Sequence, residues 1–195
     1  MRDFVTIVSG LPRSGTSLMM QMLAAGGMPV LTDGVRAADE DNPRGYLEFE
    51  AVKRTRQDSS WLNSARGKAV KMVYLLLRDL PPTEDYRVIL MHRDLTEVLA
   101  SQRAMLLRLG NPGADLSDAQ MASLFRAQLQ STTAWLQADP RFRLLETHYQ
   151  DCLRNPARAA AQVNEFLGGH LDETAMAAAV DPALYRRVNI NAELS

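Results

Sequence analysis

Phe4-Val5-Thr6-Ile7-Val8-Ser9-Gly10-Leu11-Pro12-Arg13-Ser14-Gly15-Thr16-Ser17 is the stretch on which the fold turns. Its first five residues are a β-branched apolar run that stops at Ser9-Gly10, as a buried central strand does. From 16 to 25 the apolar side chains Leu18, Met19, Met22 and Leu23 recur at helical spacing, and Gly26-Gly27 supplies a stop. A strand, a glycine-containing loop and a helix thus follow directly on one another. Gly10 and Gly15 let the backbone turn tightly, so that several N–H groups point into one concavity, and the positive end of the helix adds its field there. An anion of the phosphate type is the expected occupant.

Outward from this unit, 31–50 is a polar stretch with Gly34, Asn42-Pro43 and Gly45, and 31–61 reads as a substrate-side insertion. Within it, 50–61 has amphipathic helical spacing. Strands are expected at 69–77, closed by Asp79 and Pro81-Pro82, at 87–91 and at 142–147. Helices are expected at 95–109, ended by Gly110-Asn111-Pro112-Gly113, at 117–138, at 156–167 with a first-turn proline, and at 172–180. This alternation predicts an α/β fold over 1–195 as one domain, with a parallel sheet between two helical layers. Ligands of such sheets sit at the carboxyl ends of the strands.

With 22 Lys+Arg against 23 Asp+Glu, a net charge of -1 provides no global field to draw the chain to nucleic acid or an anionic membrane, so an anion must be bound locally. The lone Cys152 cannot form an internal disulfide or a cysteine-rich zinc site, which points to a reducing cytoplasm. The opening apolar run is too short for a signal sequence, and no stretch approaches the roughly 20 apolar residues of a membrane span, so a soluble protein without stable membrane association is expected. A homodimer stays open.

The loop has the two-glycine spacing of a P-loop, yet Thr16 stands where an ATP or GTP loop carries lysine, and the cation comes earlier, at Arg13. That shift argues against an ordinary NTPase. Arg13 offers a planar fork to a phosphate or sulfate, Thr16 and Ser17 offer hydroxyls, and no metal is called for. A second constellation is Val88-Ile89-Leu90-Met91-His92-Arg93-Asp94, with Ser101 two helical turns beyond Arg93; the pair can grip one anion from two sides. His92-Arg93-Asp94-Leu95 mimics a kinase catalytic loop, but Leu99 stands where that loop needs asparagine and no Asp-Phe-Gly occurs. Asp94 as a magnesium carboxylate lacks the loop lysine that accompanies it.

Leu11-Pro12-Arg13-Ser14-Gly15-Thr16-Ser17-Leu18 resembles the 5′-phosphosulfate-binding loop of sulfotransferases, with the arginine of the tyrosylprotein and bacterial branches. The strand ending in Arg93-Asp94, with Ser101 eight residues after Arg93, resembles the family's 3′-phosphate element. Tyr149-Gln150-Asp151-Cys152 before Asn155-Pro156 is similar to its Tyr-Glu-Asp-Leu segment, which puts Tyr149 either near an adenine or at a helix start. The likeness runs over 4–169 and implies the P-loop-type sulfotransferase fold. It implies 3′-phosphoadenylyl sulfate (PAPS) as donor and 3′-phosphoadenosine 5′-phosphate (PAP) as product, held by Pro12, Arg13, Ser14, Gly15, Thr16, Ser17, Arg93, Ser101 and Tyr149. The family's glycine-rich basic C-terminal arm is not recognisable; Arg186-Arg187 either do part of its work or stay solvated.

For the chemistry, the resemblance makes Arg13 the stabiliser of developing charge, and Lys71 either reaches the sulfuryl group or lies at the surface. The second-strand histidine of the aryl branch is absent, since Met72-Val73 follow Lys71. Asn42-Pro43-Arg44-Gly45-Tyr46-Leu47-Glu48 resembles a segment of bacterial members and nominates Glu48, then Glu50, as the base; His92 and His148 are read as structural or nucleotide-adjacent. The acceptor, a hydroxyl or an amine, is set by 31–61. The rival readings are a P-loop nucleotide kinase or hydrolase, marked by magnesium and ATP turnover, and a non-catalytic nucleotide-binding relative.

Overall fold

A computed structural model describes residues 4–36, 45–108, 110 and 116–181. The opening apolar run forms β1 (Phe4–Gly10), buried at every residue after Phe4. It is flanked on both sides, by β2 (Ala69–Val73) and by β3 (Asp85–His92), and β4 (Phe142–His148) completes the order β2-β1-β3-β4. Every pairing is parallel. A strand buried on both faces and both edges has no use for polar alternation, which is why β1 reads as a continuous apolar run.

The pleat of β1 divides the interior into two cores. Val5 and Ile7 face one side, where Trp61, Leu77, Val98 and Leu136 pack; the last two come from α2 (Leu95–Arg108) and α3 (Asp118–Ala138). Val8 faces the other, against Met19, Met22, Cys152, Ala160 and Met176. These belong to α1 (Thr16–Ala25), α4 (Tyr149–Arg154), α5 (Pro156–Leu167) and α6 (Glu173–Ala178). The result is the expected three-layer α/β architecture with a parallel sheet between helices.

Three segments differ from expectation. The strand expected over 69–77 leaves the sheet after Val73, because Gly10↔Val73 is the last pair that β1 provides, and Tyr74–Asp79 coils into a 3-10 helix. The helix expected over 50–61 is two 3-10 helices, Glu50–Arg54 and Ser60–Ser64. Side chains divert the backbone between them: Thr55 Oγ1 donates to Val52 O at 2.7 Å, and Asp58 Oδ1 accepts from Ser60 N at 2.9 Å. The short α4 directly follows β4 and has Tyr149 as its first residue.

Candidate active site

The loop between β1 and α1 lies at the carboxyl edge of the sheet, where two close approaches demand its glycines. A Cβ on Gly10 would stand 2.7 Å from the Met91 carbonyl oxygen and 2.5 Å from Ser14 Oγ. Gly15 has φ 99°, and a Cβ there would run into the Tyr149 ring. Between them Arg13 takes the left-handed backbone, φ 74°, which costs a non-glycine residue about 1 kcal/mol or more. Contacts from Arg93, just beyond β3, and from α2 hold it there. Arg13 Nε donates to Ser101 Oγ at 2.8 Å, Arg93 Nη1 donates to the Arg13 carbonyl at 3.2 Å, and Gln102 Nε2 donates to the Pro12 carbonyl at 3.3 Å. Ser14 is buried under the loop, and its Oγ has no hydrogen-bond partner among the described residues.

Arg93 is fixed in turn. Its Nε donates to Glu97 Oε2 at 2.9 Å, its guanidinium lies 4.6 Å over the Tyr149 ring, and Glu97 Oε1 accepts from Gln150 Nε2 at 2.9 Å. Asp94 has a different task from metal binding: its Oδ1 accepts from Thr96 N at 2.9 Å and Glu97 N at 3.1 Å, so it caps α2.

On the β2 side, Lys71 Nζ donates to the Tyr46 carbonyl at 2.6 Å and to Ser17 Oγ at 3.3 Å, and pairs with Glu48 Oε1 at 3.0 Å. The same Glu48 oxygen accepts from Arg36 Nη1 at 3.1 Å, while the Arg36 guanidinium stacks 3.4 Å over the Tyr46 ring. Burial holds the Lys71 pKa below the usual lysine value, against the pull of the Glu48 carboxylate, and the Arg36 charge lowers it further. Lys71 is therefore an interior group of the site.

A cleft of about 390 Å³ joins the two sides, within the roughly 300–1,000 Å³ common for small-molecule sites. Pro12, Arg13, Gly15, Thr16, Ser17, Glu48, Lys71, Arg93, Ser101 and Tyr149 all line it; Ser14 lies beneath the loop. Glu50 stays outside: its carboxylate takes Lys53 Nζ at 2.6 Å, and its backbone N–H donates to Asp33 Oδ2 at 2.6 Å. Arg186 and Arg187 lie outside the described residues, as do 42–44 of the insertion. His92 and His148 face a neighbouring groove, their rings 5.3 Å apart and His92 Nε2 2.8 Å from Glu146 Oε2; burial holds His92 below its usual pKa. Arg36, Glu97, Gln102 and Gln150 were not singled out from the sequence. Only Glu97 carries a legible signal there, its i,i+4 spacing from Arg93. Among the described residues no helix is long and apolar enough to cross a membrane, and no group of three or more His, Cys, Asp or Glu is placed to hold a metal ion.

The fold and the cleft define an α/β protein in which the β1–α1 loop, Arg93 and Lys71 surround a cleft where the central strands end. The sulfotransferase domain family matches residues 4–186, and the chain belongs to that family of sulfuryl-transferring enzymes. Among solved structures, the sulfotransferase STF1 from Mycobacterium tuberculosis H37Rv is similar at TM-score 0.62 and 17% identity, over 95% of this chain and 74% of that one. The sulfotransferase domain of the Synechococcus PCC 7002 olefin synthase is similar at TM-score 0.56 and 15% identity, over 100% and 91%. Mouse sulfotransferase SULT7A1, complexed with PAP, is similar at TM-score 0.53 and 16% identity, over 92% and 64%. No curated protein sequence matches this chain.

Proposed function

We propose that the chain moves a sulfuryl group from PAPS to a hydroxyl or amine acceptor and releases PAP. The observation that carries this reading is the Arg13 Nε to Ser101 Oγ hydrogen bond, 2.8 Å across a sequence separation of 88, which brings the first loop and the Arg93–Ser101 element to one place. Two anion-gripping motifs side by side suit a ligand with two separate phosphate groups. The pocket chemistry fits such a donor. The close approaches at Gly10 and Gly15 keep the loop tightly wound, as a backbone cradle for a phosphate requires, and the structurally similar SULT7A1 is complexed with PAP.

In this reading the loop N–H groups, Arg13, Thr16 and Ser17 hold the 5′ end, and Arg93 and Ser101 hold the 3′-phosphate. Tyr149, which supports Gly15 and the Arg93 guanidinium, borders the nucleoside side. When bound, PAPS supplies an activated sulfuryl group on a phosphate leaving group. Lys71 and Arg13 stabilise negative charge from opposite sides of the loop. Glu48 is the base. Its Oε1 is occupied by Lys71 and Arg36, while Oε2 has no hydrogen-bond partner among the described residues and is the oxygen left to take the acceptor's proton.

The test is transfer from labelled PAPS to a panel of alcohols and amines, with Glu48→Gln alongside. Loss of a positioned general base costs about 10²–10⁴-fold in turnover, so the variant is expected to lose at least a hundredfold while binding PAP within twofold of the parent chain. Full turnover in Glu48→Gln removes Glu48 from the reaction.

A further inference from the structure

We propose that Glu97 and Gln150 are positioning residues that aim the Arg93 guanidinium at the donor's 3′-phosphate; this rests on the nucleotide reading above. Arg93 leaves the end of β3 with its side chain only 9% exposed. A guanidinium at that depth needs its N–H groups directed. Among the contacts that direct it, Glu97 Oε2 takes Nε at 2.9 Å, the Tyr149 ring covers one face at 4.6 Å, and the Arg13 carbonyl takes Nη1 at 3.2 Å. One contact to an edge, one to a face and one to a corner leave a planar group no rotation.

Glu97 is itself held twice. Its backbone N–H donates to the Asp94 cap at 3.1 Å, and Gln150 Nε2 donates to Oε1 at 2.9 Å, which commits Oε2 to Arg93. The amide and the carboxylate thereby join the end of β3 to the first turns of α2 and α4. Two effects on an anion at Arg93 oppose each other: the Glu97 charge repels it, and the brace spares it the ordering of a long side chain. Glu97 meets the guanidinium at Nε, so a phosphate on its outer N–H groups lies nearer the cation than the carboxylate, and the ordering effect prevails. Its loss weakens binding by about tenfold, the usual cost of immobilising one such side chain.

Binding of PAP and of AMP, which lacks the 3′-phosphate, is measured by displacement calorimetry on the full chain. Glu97→Ala is expected to weaken PAP about tenfold and leave AMP unchanged, with Gln150→Ala giving a smaller loss of the same kind. Glu97→Gln alone sets one amide N–H₂ against the other, whereas the Glu97→Gln/Gln150→Glu double exchange reinstates a donor–acceptor chain and should recover PAP affinity. Equal weakening of PAP and AMP, unchanged affinity for both, tighter PAP binding in Glu97→Ala, or no recovery in the double exchange overturns the proposal. Arg93→Ala separates it from the underlying reading. If that variant still prefers PAP over AMP as the parent does, Arg93 does not hold the 3′-phosphate; if it loses the preference while Glu97→Ala keeps it, only the brace fails.

Discussion

Lys71 carries a conflict within one side chain: burial disfavours its charge, while Glu48 Oε1 at 3.0 Å and the Tyr46 carbonyl at 2.6 Å favour it. Burial is the larger effect, so the folded chain releases this proton at a lower pH than the unfolded chain does. Below the folded value both states hold the proton, and the residue adds no pH dependence. Between the folded value and the ordinary lysine value only the unfolded chain holds it, so stability rises with pH in that window. Measured against Lys71→Met by urea unfolding from neutral to alkaline pH, the parent chain is therefore expected to gain ground as pH climbs through that window. A difference that stays flat, or falls, would mean that Lys71 is not enclosed as described. The same deprotonation strips the site of a cation, so transfer should decline on its alkaline side before ordinary lysines titrate.

At the scale of elements, legibility followed how local the cause was. β1, α1 and the loop between them read correctly because strand burial, helical spacing and Gly10 and Gly15 all act within one short stretch. The start of α3 was equally plain, since Ser117 and Gln120 cap each other's backbone N–H. The end of β2 was not: Tyr74-Leu75-Leu76-Leu77 looks like more strand, and only the fact that β1 stops at Gly10 turns it away. In the site, the spacing of Arg13, Arg93 and Ser101 could be read directly, while Arg36 and Gln150 act through partners 12 and 53 residues away and left no local mark. The short α4 supplies a probe of its own layer. Cys152 is fully buried there, and burial, with the Asp151 charge adding to it, pushes its thiol up to about 12. Without thiolate or access, it should react with an aromatic disulfide reagent at pH 8 at least about a hundredfold more slowly in the native chain than in urea, because reaction waits on opening of the layer. Prompt native labelling would show that α4 is not packed against α1 and α5.

Over the whole molecule the charges nearly cancel, with 22 cationic and 23 acidic side chains, so nothing at long range gathers an anionic nucleotide. Affinity must come from the few groups around the cleft, and it should discriminate. PAP and ATP are both adenine nucleotides rich in negative charge; they differ in where the phosphates sit. A site that merely attracted anions would favour ATP, whereas one in which Arg13 and Ser101 bring two phosphate seats together favours a nucleotide bearing a phosphate on each side of its ribose. A ligand that binds only the folded state, present at about a hundred times its Kd, adds about 2.7 kcal/mol. For a chain of 195 residues that is a rise in melting temperature of roughly 5–10 °C. PAP at such a concentration is expected to give this rise, ATP at the same concentration less than half of it, and Arg13→Ala neither. Equal shifts from the two nucleotides would mean that the second phosphate seat does not exist, and the loop would then have to be read as a general anion cradle rather than as the donor site of a PAPS enzyme.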